Sequence, residues 1–149
     1  MNKRFKDDSD IYVFTKTFLV ECPKCGACAT VTDMSEGEKA ALFGEKRFVC
    51  TNCGASKTKK FTLFKIHHDG YEWYFGYPLY LKVPCCGQTL WAMNEDHLDF
   101  LQKYAEAKLR EEGTQHTLAN RLPKWIKDAK NRDEILRCLK KLREKLKNK

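Results

Sequence analysis

No stretch of this chain is apolar for the roughly 20 residues that a membrane-spanning helix requires, and its first residues, MNKRFKDDSD, lack the apolar core of a secretory signal. These two absences predict a cytoplasmic protein with no membrane partner. Catalytic signatures are missing as well: the chain has no glycine-rich phosphate loop, no H-E-x-x-H, no G-x-S-x-G, and no H-x-E paired with P-C-x-x-C. His67, His68, His97 and His116 stand apart from any serine or cysteine in an activating arrangement. Asp96 with Asp99 is too ordinary a helical pair to imply a hard cation. The expectation is a binding protein, not an enzyme, with no small-molecule substrate evident. Low-complexity linkers are absent too, and nothing repeats except pairs of cysteines.

Cysteine is what the chain has in quantity, with 8 in 149 residues. In a reducing compartment clustered thiols point to metal or redox chemistry and not to a disulfide framework. Cys22-Pro-Lys-Cys25-Gly26 and Cys50-Thr-Asn-Cys53-Gly54 are two turns of one design. Two intervening residues let both sulfurs of a pair reach one ion, and the following glycine can take the positive φ that turns backbone N–H groups toward the thiolates. Four thiolates in a tetrahedron suit zinc and leave no position for a substrate, so the predicted site is structural. Iron held as in rubredoxins is the rival, and it implies an electron carrier.

These residues resemble a known family. The two cysteine turns, flanked by short strands over residues 18–66, look like the zinc ribbon of general transcription factor IIB, of RNA polymerase subunits and of ribosomal proteins. Further on, VPCCGQTLWAMNEDHL and RLPKWIKDAKNRDEILR look like segments of small bacterial ribbon-containing proteins. The resemblance implies a ribbon fold, one structural zinc, and work on nucleic acid or a polymerase.

The other cysteines carry no such signature. Cys28 extends the first pair to C-x2-C-x2-C, a spacing also used by iron–sulfur clusters, but the second pair already completes a ribbon and Cys28 is expected to face the β-layer. Cys85 and Cys86 are adjacent, so on an extended strand they face opposite ways and meet one ion only across a bend. With His67 or His68 they are the candidates for a second site, which the sequence does not predict because no ligand spacing supports it. Cys138 reads as a small apolar filler in the last helix.

Short segments rich in β-branched and aromatic residues (IYVFTKTFLVE, ATVTDM, KRFVC, KKFTLFKI, YEWYFGYPLYLKV and TLWA) are separated by turn formers, the pattern of antiparallel strands. Asp69-Gly70 marks a hairpin, and Ser35 to Glu45 a loop or single helical turn. Alternation puts Tyr71, Trp73 and Phe75 on one face and Glu72 and Tyr74 on the other, a stripe read as core in preference to a base-stacking platform. From Asn94 the period changes to three and four, through Leu98, Leu101, Ala105 and Leu109, predicting a capped helix of about 18 residues closed by Gly113. Thr117 offers another cap and Pro123 opens a short helix with Trp125 and Ile126. Asn131 with Glu134 as a capping box starts a last helix whose Ile135, Leu139, Leu142 and Leu146 share one face. The predicted fold is therefore α+β: a β-rich zinc-ribbon region over 1–93 and a basic helical region over 94–149 packing on it.

Charge is uneven between these regions. Residues 1–100 carry 13 basic and 13 acidic side chains, whereas 101–149 carry 15 and 7, so the net +8 belongs to the last third. Lys124, Lys127, Lys130, Arg132, Arg137, Lys140 and Lys141, with Arg143, Lys145 and Lys147, make an electrostatic footprint for phosphates, DNA or RNA; a solvated surface that serves solubility alone is the other reading of the same residues. A protein-interaction adaptor using the ribbon edge or the last helix is the alternative.

Overall fold

The computed structural model describes residues 4–5, 16–34, 45–60, 70–72, 74–106, 109–110 and 122–149. His67, His68, Trp73, Gly113, His116, Thr117 and the Ser35–Gly44 stretch lie outside them, as does the strand expected over KKFTLFKI beyond Lys60. Four strands, β2 (Thr17–Glu21), β3 (Cys28–Asp33), β4 (Lys46–Val49) and β5 (Ser56–Lys59), form one antiparallel sheet in sequence order. Its register pairs Glu21 with Cys28, Thr30 with Val49 and Val49 with Ser56. Both cysteine turns are consequently hairpin tips at the same end of the sheet. A two-residue strand, β1 (Arg4–Phe5), pairs in parallel with β8 (Leu109–Arg110).

A second hairpin, β6 (Leu81–Cys85) and β7 (Gln88–Ala92), adjoins the outer edge of β2. Bonds from Leu19 N to Met93 O, Tyr80 N to Leu19 O and Glu21 N to Pro78 O use that edge, and a bridge joins Val20 to Leu79. The β2 edge is thereby closed to pairing with other chains.

The first long helix, α1, is Glu95–Glu106, 12 residues long. Asn94 caps it, its Oδ1 accepting from His97 N at 2.9 Å while its Nδ2 donates to Thr17 O at 2.6 Å, so the cap also ties the helix to β2. Leu98, Leu101 and Ala105 are buried as their spacing predicts. Leu109 is not on this helix: it belongs to β8, whose pairing with β1 ends the helix well before Gly113. Pro123 opens α2 (Lys124–Lys127), a 3-10 turn follows over Ala129–Asn131, and α3 runs from Arg132 to Lys147.

The predicted capping box at Asn131 does not form. Asn131 is itself near-helical, its Nδ2 donates to Trp125 O at 2.9 Å, and the Glu134 carboxylate turns to Cys86 N instead. Ile135, Cys138, Leu139, Leu142 and Leu146 of α3 are buried against α1 and β6, and join the sheet residues Phe18, Val20, Val31 and Phe48 in one core. Arg143 links the helices from outside, its Nη2 donating to Asp99 Oδ1 at 2.6 Å and to Gln102 Oε1 at 2.9 Å.

The aromatic stretch departs from the expected strand. Glu72, fully buried, accepts hydrogen bonds from the backbone N–H groups of Tyr74, Phe75 and Tyr77 at 2.7–3.0 Å, which gathers Tyr74 to Tyr77 around its carboxylate in a turn with Gly76 at φ +77°. That turn buries Tyr74 and Phe75 together, where strand alternation would have separated them. Phe75 and Tyr77 stack with centroids 5.4 Å apart and both meet Phe48, while Tyr74 sits edge-on to Phe18. Phe18, Phe48, Tyr74 and Phe75 are core and Tyr77 is half-buried against them, whereas Tyr71, expected in the same stripe, is exposed. No helix among the described residues is long and apolar enough to cross a membrane.

Candidate metal centre

The two hairpin tips repeat each other bond for bond. In the first, Gly26 N donates to Cys22 O and Cys22 N to Ala27 O, each at 2.8 Å; in the second, Gly54 N donates to Cys50 O at 2.9 Å and Cys50 N to Ala55 O at 2.8 Å. Gly26 and Gly54 both hold φ at +79°, the left-handed conformation that the spacing called for. Because β3 and β4 are neighbours, the two tips face each other.

Cys22, Cys25, Cys50 and Cys53 accordingly bring their sulfurs within 4.8 Å of one another. Cys22 Sγ lies 3.7 Å from Cys53 Sγ, and Cys25 Sγ 3.6 Å from Cys50 Sγ. A tetrahedral thiolate site with metal–sulfur bonds of about 2.3 Å has sulfurs about 3.8 Å apart, so the cluster has the dimensions of a metal site. Cys22 and Cys50 point into the protein and Cys25 and Cys53 outward, leaving the centre at the surface with its four positions filled by protein.

The local dipoles favour negative charge on part of the cluster. Burial raises the Cys22 thiol, but backbone N–H groups of Cys25 and Lys24 outweigh it and the thiol lies below its ordinary value. Asn52 Nδ2, 3.4 Å from Cys25 Sγ, and then Ala27 N–H bring Cys25 down to about 6. Cys53 has the help of Ala55 N–H, yet desolvation and the three neighbouring thiols push it up to about 11. Without a cation the four cannot all ionise side by side; a bound ion removes that conflict.

Cys28 begins β3, half-buried and outside this cluster, its thiol raised by burial. The run from Cys22 through Cys28 therefore contributes two sulfurs to the centre, not three.

Cys85 and Cys86 contradict the extended geometry expected for them. Cys86 and Gly87 form the two-residue turn between β6 and β7, with φ of +53° and +75°, and this bend sets the Cys85 and Cys86 sulfurs 3.8 Å apart. Cys138 is buried in the core, as expected of a small apolar filler, and it also has polar neighbours: it lies one helical turn after Glu134, its Sγ donates to Pro84 O at 3.7 Å, and Cys85, Glu134 and Cys138 hold their ligand atoms within 4.8 Å of one another. Sequence reasoning missed this trio. The local signal was the Cys-Gly pair between two alternating segments, which reads as a positive-φ turn.

Of the predicted phosphate contacts, Lys124, Lys130, Arg137, Lys140 and Lys141 are exposed, while Lys127 and Arg132 are half-buried. Lys130 faces Asp128 at 3.8 Å. Arg137, Lys140 and Lys141 share the outer face of α3 with Lys147, interrupted by Asp133 and Glu144. Arg143 and Lys145 have structural partners: Arg143 bridges to α1, and Lys145 Nζ sits 4.6 Å above the Tyr80 ring, whose hydroxyl donates to Lys145 O. Set beside family models, curated proteins and solved structures, the chain matches none of them.

Proposed function

We propose that the protein is a zinc-ribbon module that binds nucleic acid, in which one zinc ion held by Cys22, Cys25, Cys50 and Cys53 fixes the ribbon and exposed basic side chains of the C-terminal helices contact phosphate. The observation that carries the reading is the four-sulfur cluster between matched hairpin tips. With every ligand position supplied by protein, an ion there has a structural task. Zinc is favoured over iron because nothing in the chain suggests an electron-transfer partner, while an excess of positive charge suggests an anionic one.

Two features support nucleic acid over an adaptor role for the last helix. Its leucine face is already consumed by the protein's own core, leaving the basic face for partners. That face carries part of the charge excess of the last third of the sequence, with Arg137, Lys140, Lys141 and Lys147 against Asp133 and Glu144. The resemblance to the ribbon of general transcription factor IIB supports a transcription-associated setting by analogy.

Fluorescence polarisation with single-stranded and duplex oligonucleotides, the protein purified without added metal, tests the proposal. Affinity is expected to fall steeply between about 50 and 200 mM salt, as counterion release requires. Salt-independent behaviour, or none at micromolar protein, overturns nucleic-acid binding. Coloured, iron-loaded protein overturns zinc.

A further inference from the structure

We propose a second metal site, for a thiolate-seeking d10 ion of the zinc class, formed by Cys85 and Cys86 at the β6–β7 turn with Cys138 and Glu134 of α3. It does not rest on the nucleic-acid reading. Two elements converge there. On α3, Glu134 and Cys138 are four residues apart and so share a face on adjacent turns. On the hairpin, Cys85 is the last residue of β6 and Cys86 takes a left-handed backbone that is rare outside glycine, which folds its side chain back beside that of Cys85. Together they place the sulfurs of Cys85 and Cys138 and the Glu134 carboxylate around one point where the helix packs on the hairpin, with the Cys86 sulfur at its edge, 3.8 Å from that of Cys85.

The arrangement suits an ion better than it suits plain packing. Cys85 and Cys138 are buried, yet the group beside them is the carboxylate of Glu134, an exposed residue, and not an apolar side chain. Glu134 forgoes its capping box to turn toward Cys86 N–H, and that bond orients one carboxylate oxygen. A preoriented carboxylate next to three thiols is repelled when they ionise, and a divalent cation at the centre converts that repulsion into coordination. The donor set selects the ion. Calcium and magnesium want oxygen alone, and copper(I) wants sulfur alone, whereas zinc accepts both. An ion there clamps the last helix to the hairpin and so fixes the basic face relative to the ribbon.

Metal counting by native mass spectrometry under reducing conditions tests the site. The full chain is expected to carry two zinc ions. Cys138→Ser is expected to carry one, and a Cys22→Ser/Cys50→Ser variant to keep one. Cobalt(II) offers a second readout if Cys138→Ser does not fold. Glu134→Gln retains an oxygen to accept from Cys86 N–H but lacks the carboxylate, and it is expected to shift the cobalt absorption of the second site while leaving that of the four-sulfur site unchanged. One ion in the wild type overturns the proposal, as does a Cys85–Cys86 or Cys85–Cys138 disulfide in freshly reduced, metal-supplied protein. Two ions persisting in folded Cys138→Ser, or a cobalt spectrum indifferent to Glu134→Gln, does the same.

Discussion

Glu72 and His97 are both buried in the core, and each makes a backbone turn possible through its side chain. Glu72 accepts three N–H donors that would otherwise be stranded inside the protein. Burial raises its carboxyl above the ordinary range, and those donors offset part of the shift. Glu72→Gln presents an amide NH2 where acceptors are needed, so it is expected to destabilise the fold by about 1–3 kcal/mol in chemical denaturation; a neutral result would show that the turn holds without the carboxylate. His97 accepts from Met93 N at its Nδ1, 3.0 Å away, and its burial depresses the imidazole to about 4. The unfolded chain protonates this group near 6.5, so the unfolded state binds more protons between the two values. The stability that His97 contributes is whole above pH 6.5 and is lost as pH falls toward 4, by about 3 kcal/mol. Denaturation at pH 7.5 and pH 5 should reveal that slope, and His97→Gln should flatten it; an equal slope in the variant would remove His97 as the source of the acid sensitivity.

Whether an element was legible in the sequence depended on how far apart its determinants lie. Each cysteine turn is encoded within five residues, spacing and glycine together, and both tips match the expectation. The bond connecting Glu134 to Cys86 spans 48 residues and the one from Cys138 to Pro84 spans 54, so no local spacing could announce the second group of thiols. The periodic pattern of α1 runs past its real end because Leu109 has a distant partner in β1. Alternation failed at Tyr74 and Phe75 because a buried carboxylate captured the N–H groups that a strand would have used. Gly26 and Gly54 allow a prediction at this scale. Open space surrounds the position of an added Cβ at either, so alanine there meets only the backbone penalty of φ +79°. Gly26→Ala and Gly54→Ala are each expected to cost about 1–2 kcal/mol, read as earlier loss of metal to a competing chromophoric chelator. Unchanged retention in both would mean that the tips tolerate a different conformation without moving their sulfurs.

Over the whole molecule, the sheet, the second hairpin and the last helix share one core, so the helix bearing the basic residues is held in place relative to the cysteine tips. The basic residues divide by role. Arg143 belongs to the architecture, since its guanidinium spans Glu95, Asp99 and Gln102 of α1. Arg137, Lys140 and Lys141 are exposed on the outer face of α3, so removing them should cost the fold little while reducing any phosphate contact. The triple alanine variant at these positions is expected to keep the wild-type melting temperature. If each residue meets one phosphate, its plot of log affinity against log salt should be shallower by about 2 to 3. Arg143→Ala makes the opposite prediction: a lower melting temperature from a looser α1–α3 contact, with the salt slope retained. A triple variant that binds with the full wild-type slope would move the phosphate contacts off the last helix and toward the ribbon, where Lys24 and Lys57 are exposed beside the cysteine tips and on β5.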